Sequence, residues 1–359
     1  MSKMTISFPH MGDYHVPIGA FVQRLFPEAR VMAAPPITNE TAAIGQRHSP
    51  DFICEPFKYN IGNFIQALDQ GANILLQTGT GCRFGYYGEL QEQILRDLGY
   101  EFQFICLSRD RARPQPIYET LRKLGSPLST PQMIHAVLLA VAGIRTMDKL
   151  SGIIRETMGF TSSPGEMLSE YGVFLQELKQ ADTAAKIYVL ARAYEKNLRL
   201  MTRDNITHHP LRIGIVGDLY TVMEPFSNFD MERKMAARGI AISRKMSVSF
   251  LLFGAGERPR LRKTRGYLRY SGGANGLDSV GQSIQYAKLG YDGVIHAKSF
   301  GCTPELNAIP AMMRVSQDFG IPILHLSFDT QAGDTGLDTR LEAFIDMMEM
   351  RRKASGSSV

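Results

Sequence analysis

Apolar and polar positions along this chain change period in blocks, and the blocks alternate between strand and helix. Residues 5–8 form a short apolar run of strand character, 16–25 repeat apolar positions at helical spacing, and 30–34 return to a strand. A polar loop with Pro35, Pro36, Thr38, Asn39 and Thr41 comes next. From 56 to 70, Phe57, Ile61, Phe64, Ile65 and Leu68 fall on one helical face. Residues 72–76 read as a strand, 86–98 as a helix and 102–107 as a strand. Strands alternating with helices predict a layered α/β fold with a mostly parallel sheet.

The period changes between about 130 and 201, where helical patterns are long and strand signal is scarce. Pro164 and Gly165 punctuate this stretch, and Ser163 is placed to cap the next helix. Alternation resumes with LRIGIV at 211–216, an unbroken apolar run of the kind buried on both faces of a parallel sheet. Asn228 then reads as the N-cap of a helix over 229–237, with Glu232 in its first turns. A short strand at 241–243 and a basic linker at 258–269 follow. Helices over 279–289, 306–319 and 337–350 alternate with strands at 293–296 and 323–326. The expected organisation is an α/β protein of two flavodoxin-like or Rossmann-like parallel-sheet domains with a helical middle segment. The N-terminal domain spans 1–128, the helical segment 129–207, the C-terminal domain 208–352, and a disordered tail 353–359.

Composition narrows the class. A chain of 359 residues with 44% hydrophobic content is long enough for two or three folded cores. Net charge is +5 with 21% charged residues, too diffuse to argue for a nucleic-acid partner. The longest apolar run, 136–144, falls far short of the roughly 20 residues a membrane helix needs. No signal peptide pattern opens the sequence, so a cytoplasmic, reducing setting is expected. Four cysteines are too few for a disulfide scaffold.

Three of those cysteines share one context. Cys54, Cys82 and Cys302 each precede an amphipathic stretch that ends near a glycine (Gly71, Gly99, Gly320), and a strand-like run follows. In parallel α/β sheets, loops at the carboxyl ends of strands carry ligands, and Cys82 and Cys302 fall in such loops. A helix start favours thiolate over thiol, and Gly79, Gly81, Gly85 and Gly301 let backbone approach a bulky group. Three soft ligands without a fourth cysteine beside them point to an iron–sulfur cluster with one open iron. Ordinary buried thiols remain one alternative. A structural zinc or thiol site is another, with His296 as a fourth ligand, although the close paired spacings of such sites are absent. Cys106, inside an apolar strand, is assigned to the core.

The stretches CEPFKYNIGNF (54–64), GCRFGYYGELQ (81–91), EPFSNFDME (224–232) and the region from FGCTPELNAIPAM to LHLSFDTQAGDTGLDTRLEAF (300–344) carry a resemblance. Together they resemble the 2-hydroxyacyl-CoA dehydratase superfamily, in its branch of activase-related proteins. The resemblance covers both α/β parts and is weakest in the helical middle. It implies one [4Fe–4S] cluster per chain, with Cys54, Cys82 and Cys302 as ligands, since a double-cubane cluster needs about twice as many cysteines. It implies a separate ATP-dependent activator with an actin-like ATPase fold that supplies low-potential electrons. A homodimer or related second subunit, and an acyl-CoA or small-molecule substrate reduced or dehydrated at the open iron, belong to the same expectation. An electron-relay or cluster-assembly subunit without a substrate of its own is the alternative role.

Other residues are candidates around that site. Glu224, Asn228 and Glu305 are acid/base or substrate-binding candidates. Lys58 and Arg83 follow their cysteines closely enough to offset cluster charge, and Gly81 and Gly301 are expected to line the cofactor. The loop SFDTQAGDTGLDTR offers Asp329, Thr330 and Thr335, with Arg340 expected in a salt bridge. Arg258, Arg260, Arg262, Lys263, Arg265 and Arg269 form a basic run suited to CoA phosphates or to a plain charged surface. No phosphate-binding P-loop or dinucleotide-binding glycine motif is present.

Overall fold

A computed structural model describes residues 4–78, 82–106, 122, 125–202, 210–254, 257–329 and 333–356. The chain divides into two compact units, Met1–Thr146 with Leu175–Leu190, and Met147–Phe174 with Ala191–Val359.

The first unit is built on four parallel strands, β1 (Thr5–Phe8), β2 (Arg30–Ala33), β3 (Ile74–Gln77) and β4 (Gln103–Cys106), in the order β2-β1-β3-β4. Alternation along the strands sends Ile6, Phe8, Ile74 and Leu76 to one face, where they pack with Val22 and Leu25 of α1 (His15–Leu25) and with Met133 and Ala136. Leu75 faces the other way, into a core with Phe57, Ile61, Phe64 and Leu95. Those residues come from α3 (Glu55–Asp69) and α4 (Tyr87–Asp97).

Between β2 and α3 lies α2 (Asn39–Arg47), where the sequence reading had a polar loop. Its only buried residues are Thr41 and Gly45, so it has no apolar stripe to read. Thr38 caps it in a box with Thr41. The helix docks through close backbone approach: a Cβ at Gly45 would sit 1.9 Å from the Lys58 carbonyl oxygen, and one at Gly62 2.1 Å from that of Thr41.

The second unit repeats the plan. Strands β5 (Arg212–Gly217), β6 (Ala241–Arg244), β7 (Gly293–Ser299) and β8 (Ile323–Phe328) run parallel in the order β6-β5-β7-β8. The fold is therefore α/β with two parallel sheets, and both follow the flavodoxin-type order. Helices α5 (Thr130–Thr157), α6 (Pro164–Gln180) and α7 (Ala184–Leu200) make up the helical stretch.

Several sequence expectations need correction. The helix expected over 229–237 is the shorter α9 (Met231–Ala236), preceded by α8 (Leu219–Met223). Phe229 and Asp230 take left-handed backbone angles, which end the preceding turn and delay the helix. The basic linker contains a helix, α11 (Glu257–Thr264), and the short helix α10 (Val248–Phe253) precedes it. After α12 (Gly276–Lys288) and α13 (Thr303–Phe319), the last helix α14 runs Asp334–Gly356, so residues 353–356 are helical where a disordered tail was expected. Among the described residues no helix is long and apolar enough to cross a membrane.

Candidate functional site

In each sheet the switch point lies between the first strand in sequence and the third, where successive connections leave in opposite directions. Ligands in such folds sit outside the carboxyl ends of those strands. In the first unit these are the ends of β1 and β3, and in the second the ends of β5 and β7.

Cys82 follows β3 and opens a 3₁₀ turn (Arg83–Tyr86) that leads into α4. Its Sγ accepts the Phe84 N–H at 3.4 Å, and its carbonyl accepts the Gly85 N–H. Cys54 occupies the N-cap position of α3, and its carbonyl accepts the Phe57 N–H at 3.0 Å. Its Sγ lies 2.8 Å from Tyr87 Oη. Tyr87 lies between Phe57, which it meets edge-on at a ring-centroid distance of 4.8 Å, and Phe84, whose tilted ring lies 5.2 Å away. Burial raises its phenol pKa, and the charges of Cys54 and Cys82 raise it further. Cys54 and Cys82 thus share one neighbour. Asn63 of α3 holds the ends of β1 and β2, accepting the His10 N–H and donating to the Pro35 carbonyl.

Of the other first-unit candidates, Lys58 is buried and ion-paired to Glu55 at 2.8 Å, so a neighbouring carboxylate already offsets its charge. Arg83 is exposed. Gly81 lies outside the described residues. Cys106 packs under α4, where a Cβ at Gly88 would meet its Sγ at 2.6 Å, and it is half-buried.

In the second unit Cys302 is the N-cap of α13, three residues past the end of β7, and its carbonyl accepts the Leu306 N–H. Gly301 beside it is half-buried. The first turn of α13 is pressed against α12, since a Cβ at Gly276 would meet the Pro304 carbonyl at 2.2 Å. Every residue of β7 is buried, yet the strand carries His296 and Lys298 on the same face as Val294. Lower on that face Val294 packs with Ala308, Met312 and Val315 of α13. Higher up the apolar contacts give way to polar ones. His296 Nε2 lies 2.9 Å from Glu305 Oε2, and His296 Nδ1 lies 2.9 Å from His325 Nδ1 on β8. His296 and Glu305 are fully buried.

Two more ionisable groups complete this pocket. Asp218, just past β5, accepts the Thr221 N–H at 3.0 Å and the Ser299 N–H at 2.6 Å. Burial pushes its pKa up, with Glu305 contributing in the same direction. Lys298 is 2% exposed and points its ammonium at the Ser299 and Phe300 carbonyls. Burial lowers its pKa, while Cys302, Asp218 and Glu305 pull it back up.

The structure thus gathers Glu305 with Lys298, Asp218 and His296 close to Cys302. It does not support His296 as a metal ligand, because both ring nitrogens are engaged. Asn228 is buried and structural: its amide donates to the Thr221 and Glu224 carbonyls and accepts the Met231 N–H. It caps α9 from outside the N-cap position, which Asp230 holds. Glu224 is buried and accepts the Phe226 N–H. Asp329 and Arg340 line a shallow surface pocket with Ser327, Phe229 and Phe328, and Thr330 lies outside the described residues. Arg340 donates to the His325 carbonyl at 2.7 Å. The side chains of Arg258 and Arg260 are likewise outside the described residues.

Asp218, Lys298, His325 and Tyr87 did not emerge from the sequence. The available signal was polar residues two apart in a strand otherwise apolar (IHAKS) and a second histidine in the next strand (ILHLSF). Exposed aromatics also flank each cysteine loop, with Phe52 88%, Tyr86 77% and Phe300 60% exposed. Within each unit, among the described residues, no group of three or more His, Cys, Asp or Glu stands close enough to hold a metal ion.

Residues 278–348, from α12 into α14, match the family model described as 2-hydroxyglutaryl-CoA dehydratase, D-component. The matched stretch contains His296, Lys298, Cys302, Glu305 and His325. No curated protein matches the chain.

Proposed function

We propose that this chain, which belongs to the 2-hydroxyacyl-CoA dehydratase superfamily, is the iron–sulfur component of a dehydratase-type system. Cys54, Cys82 and Cys302 would hold a [4Fe–4S] cluster. The observation that carries this reading is the shared placement of the three thiols. None is in a disulfide, and all are half-buried and at helix or turn N-caps, where thiolate charge is favoured. The donor set therefore fits a thiolate-bound, anionic group. When bound, a cluster held by three thiolates supplies one-electron chemistry at an iron left open to substrate.

The chain's own residues would do the rest. Lys298 sets a buried positive charge near Cys302 and offsets thiolate charge there. Tyr87 fixes Cys54 by its 2.8 Å contact. Glu305, in the first turn of α13, is the acid closest in sequence to Cys302. The exposed aromatics Phe52, Tyr86 and Phe300 are suited to excluding water once covered. Low-potential electrons would come from a separate ATP-dependent activator with an actin-like ATPase fold, and a second subunit, identical or related, would complete the system. The substrate class is a CoA-linked or small 2-hydroxy compound.

Anaerobic isolation tests this directly. The protein should be brown, with about four irons per chain. Cys54→Ala, Cys82→Ala and Cys302→Ala should each lose most of the iron, while Cys106→Ala keeps it. A colourless protein holding only zinc, or equal iron in all four variants, would overturn the assignment.

A further inference from the structure

The buried line His325–His296–Glu305 is more than packing. His296 meets a second imidazole at one nitrogen and a carboxyl at the other, both at 2.9 Å. Two Nδ1 atoms can bond only if one carries hydrogen and the other does not. The same holds at the Nε2–Oε2 contact. The line therefore has two complete hydrogen-bonding patterns with both rings neutral, and a third in which His296 carries hydrogen on both nitrogens and donates to His325 Nδ1 and to the Glu305 carboxylate. In the first, His325 Nδ1–H donates to His296 Nδ1, and His296 Nε2–H donates to the Glu305 carboxylate. In the second, Glu305 carries the hydrogen on Oε2 and donates to His296 Nε2, while His296 Nδ1–H donates to His325.

We propose that His325, His296 and Glu305 form a proton-conducting chain from half-buried His325 to the buried groups Lys298 and Asp218 at the head of β7. One proton enters at His325 Nε2. The Nδ1 proton of His325 crosses to His296 Nδ1, and the Nε2 proton of His296 crosses to Glu305 Oε2. Each ring gains one proton and loses one, and the net change is one proton on Glu305.

Three features fit this role. Register places the rings opposite each other, since His296 and His325 are paired residues of β7 and β8. His325 stays neutral at ordinary pH, because burial and then the neighbouring His296 and Lys298 push its pKa down to about 4; only a neutral imidazole can both accept and donate. Glu305 Oε1 is buried with no hydrogen-bond partner among the described residues, and the carboxyl lies near Asp218 and Lys298. The charged groups facing the line are Lys298 and Asp218 around Glu305, with Arg340 at the His325 backbone. The chain rests on the second unit's geometry alone and stands whether or not the cluster assignment holds.

Infrared pH-difference spectra of the protein as isolated, with carboxyl-¹³C glutamate and ring-¹⁵N histidine, test it. Acidification should raise the carbonyl band of one protonated glutamate, absent in Glu305→Gln. In step with it, one histidine should switch from the Nε2–H to the Nδ1–H signature and a second from the Nδ1–H to the Nε2–H signature. In His296→Gln, which keeps hydrogen-bonding groups but cannot pass a proton, deuterium exchange at that carboxyl should slow by about tenfold or more. Protonation of Glu305 without a histidine switch would mean the proton enters at Oε1 and would overturn the proposal. So would unchanged exchange in His296→Gln, or no titrating glutamate band. The first measurement needs no histidine variant, so a misfolded His296→Gln leaves the proposal testable.

Discussion

At the scale of single residues, His325 gives the clearest energetic consequence. Its pKa in the folded chain is held down to about 4, against an ordinary value of 6.5. Between those values the unfolded chain binds the proton and the folded chain does not, so stability rises with pH. The contribution is complete above about pH 6.5 and is lost as pH falls toward about 4. Because the ring is only half-buried, solvent screening reduces it to on the order of 1–2 kcal/mol. Asp218 works in the opposite sense: burial raises its pKa, so its contribution is present at low pH and is lost as pH rises. The comparison is therefore between wild type and His325→Gln in urea unfolding at about pH 7 and about pH 4.5. The variant should lose less stability on acidification, and equal losses would show that His325 does not titrate in this way. The helix-start placement of the three cysteines was legible because a thiol before an amphipathic run is a local pattern. Lys298, His325 and Asp218 were not, because their meeting depends on the pairing of β7 with β5 and β8. Those pairings join residues far apart in sequence, and no local period encodes them.

At the scale of elements, the parallel strands were readable as short apolar runs buried on both faces, and the covering helices as apolar positions at helical spacing. Helix α2 buries glycine and threonine, so its docking on α3 leaves no hydrophobic period to detect. Its contact is also unforgiving, since Gly45 and Gly62 sit against main-chain carbonyls that cannot rotate away. Gly45→Ala should gain about 1 kcal/mol of helix propensity but cost about 2–3 kcal/mol through overpacking. The net destabilisation should move the N-terminus of α3, and with it Cys54. Gly172→Ala, on α6 with nothing within 4 Å of the new Cβ, is the control and should be neutral or stabilising. Denaturant midpoints for the two variants decide the matter. If Gly45→Ala is as stable as Gly172→Ala, the close approach of α2 and α3 is wrong.

At the scale of the whole molecule, strand–helix alternation marked where each sheet begins, but not where each unit ends. The sequence reading placed the C-terminal domain at 208–352, on the ground that helical pattern gives way to strand pattern there. The compact second unit also includes Met147–Phe174 and Ala191–Leu200. Its own contacts show why. Ser249 N–H donates to Asp148 Oδ2 at 2.9 Å, anchoring α10. Gly159 lies so close to α9 that a Cβ would meet the Ala236 carbonyl at 2.8 Å. Met158 is buried, and Thr161 donates to the Met201 carbonyl. Helical periodicity alone cannot assign such a segment, because an amphipathic face shows that a helix is covered without saying by what. A fragment spanning 208–359 should therefore expose apolar surface, bind a hydrophobic dye and unfold without a sharp transition. A fragment spanning 147–359 should unfold cooperatively and keep the His325-dependent pH response. Equal cooperativity in both fragments would return the boundary to residue 208 and reduce the helices at 147–174 to a linker.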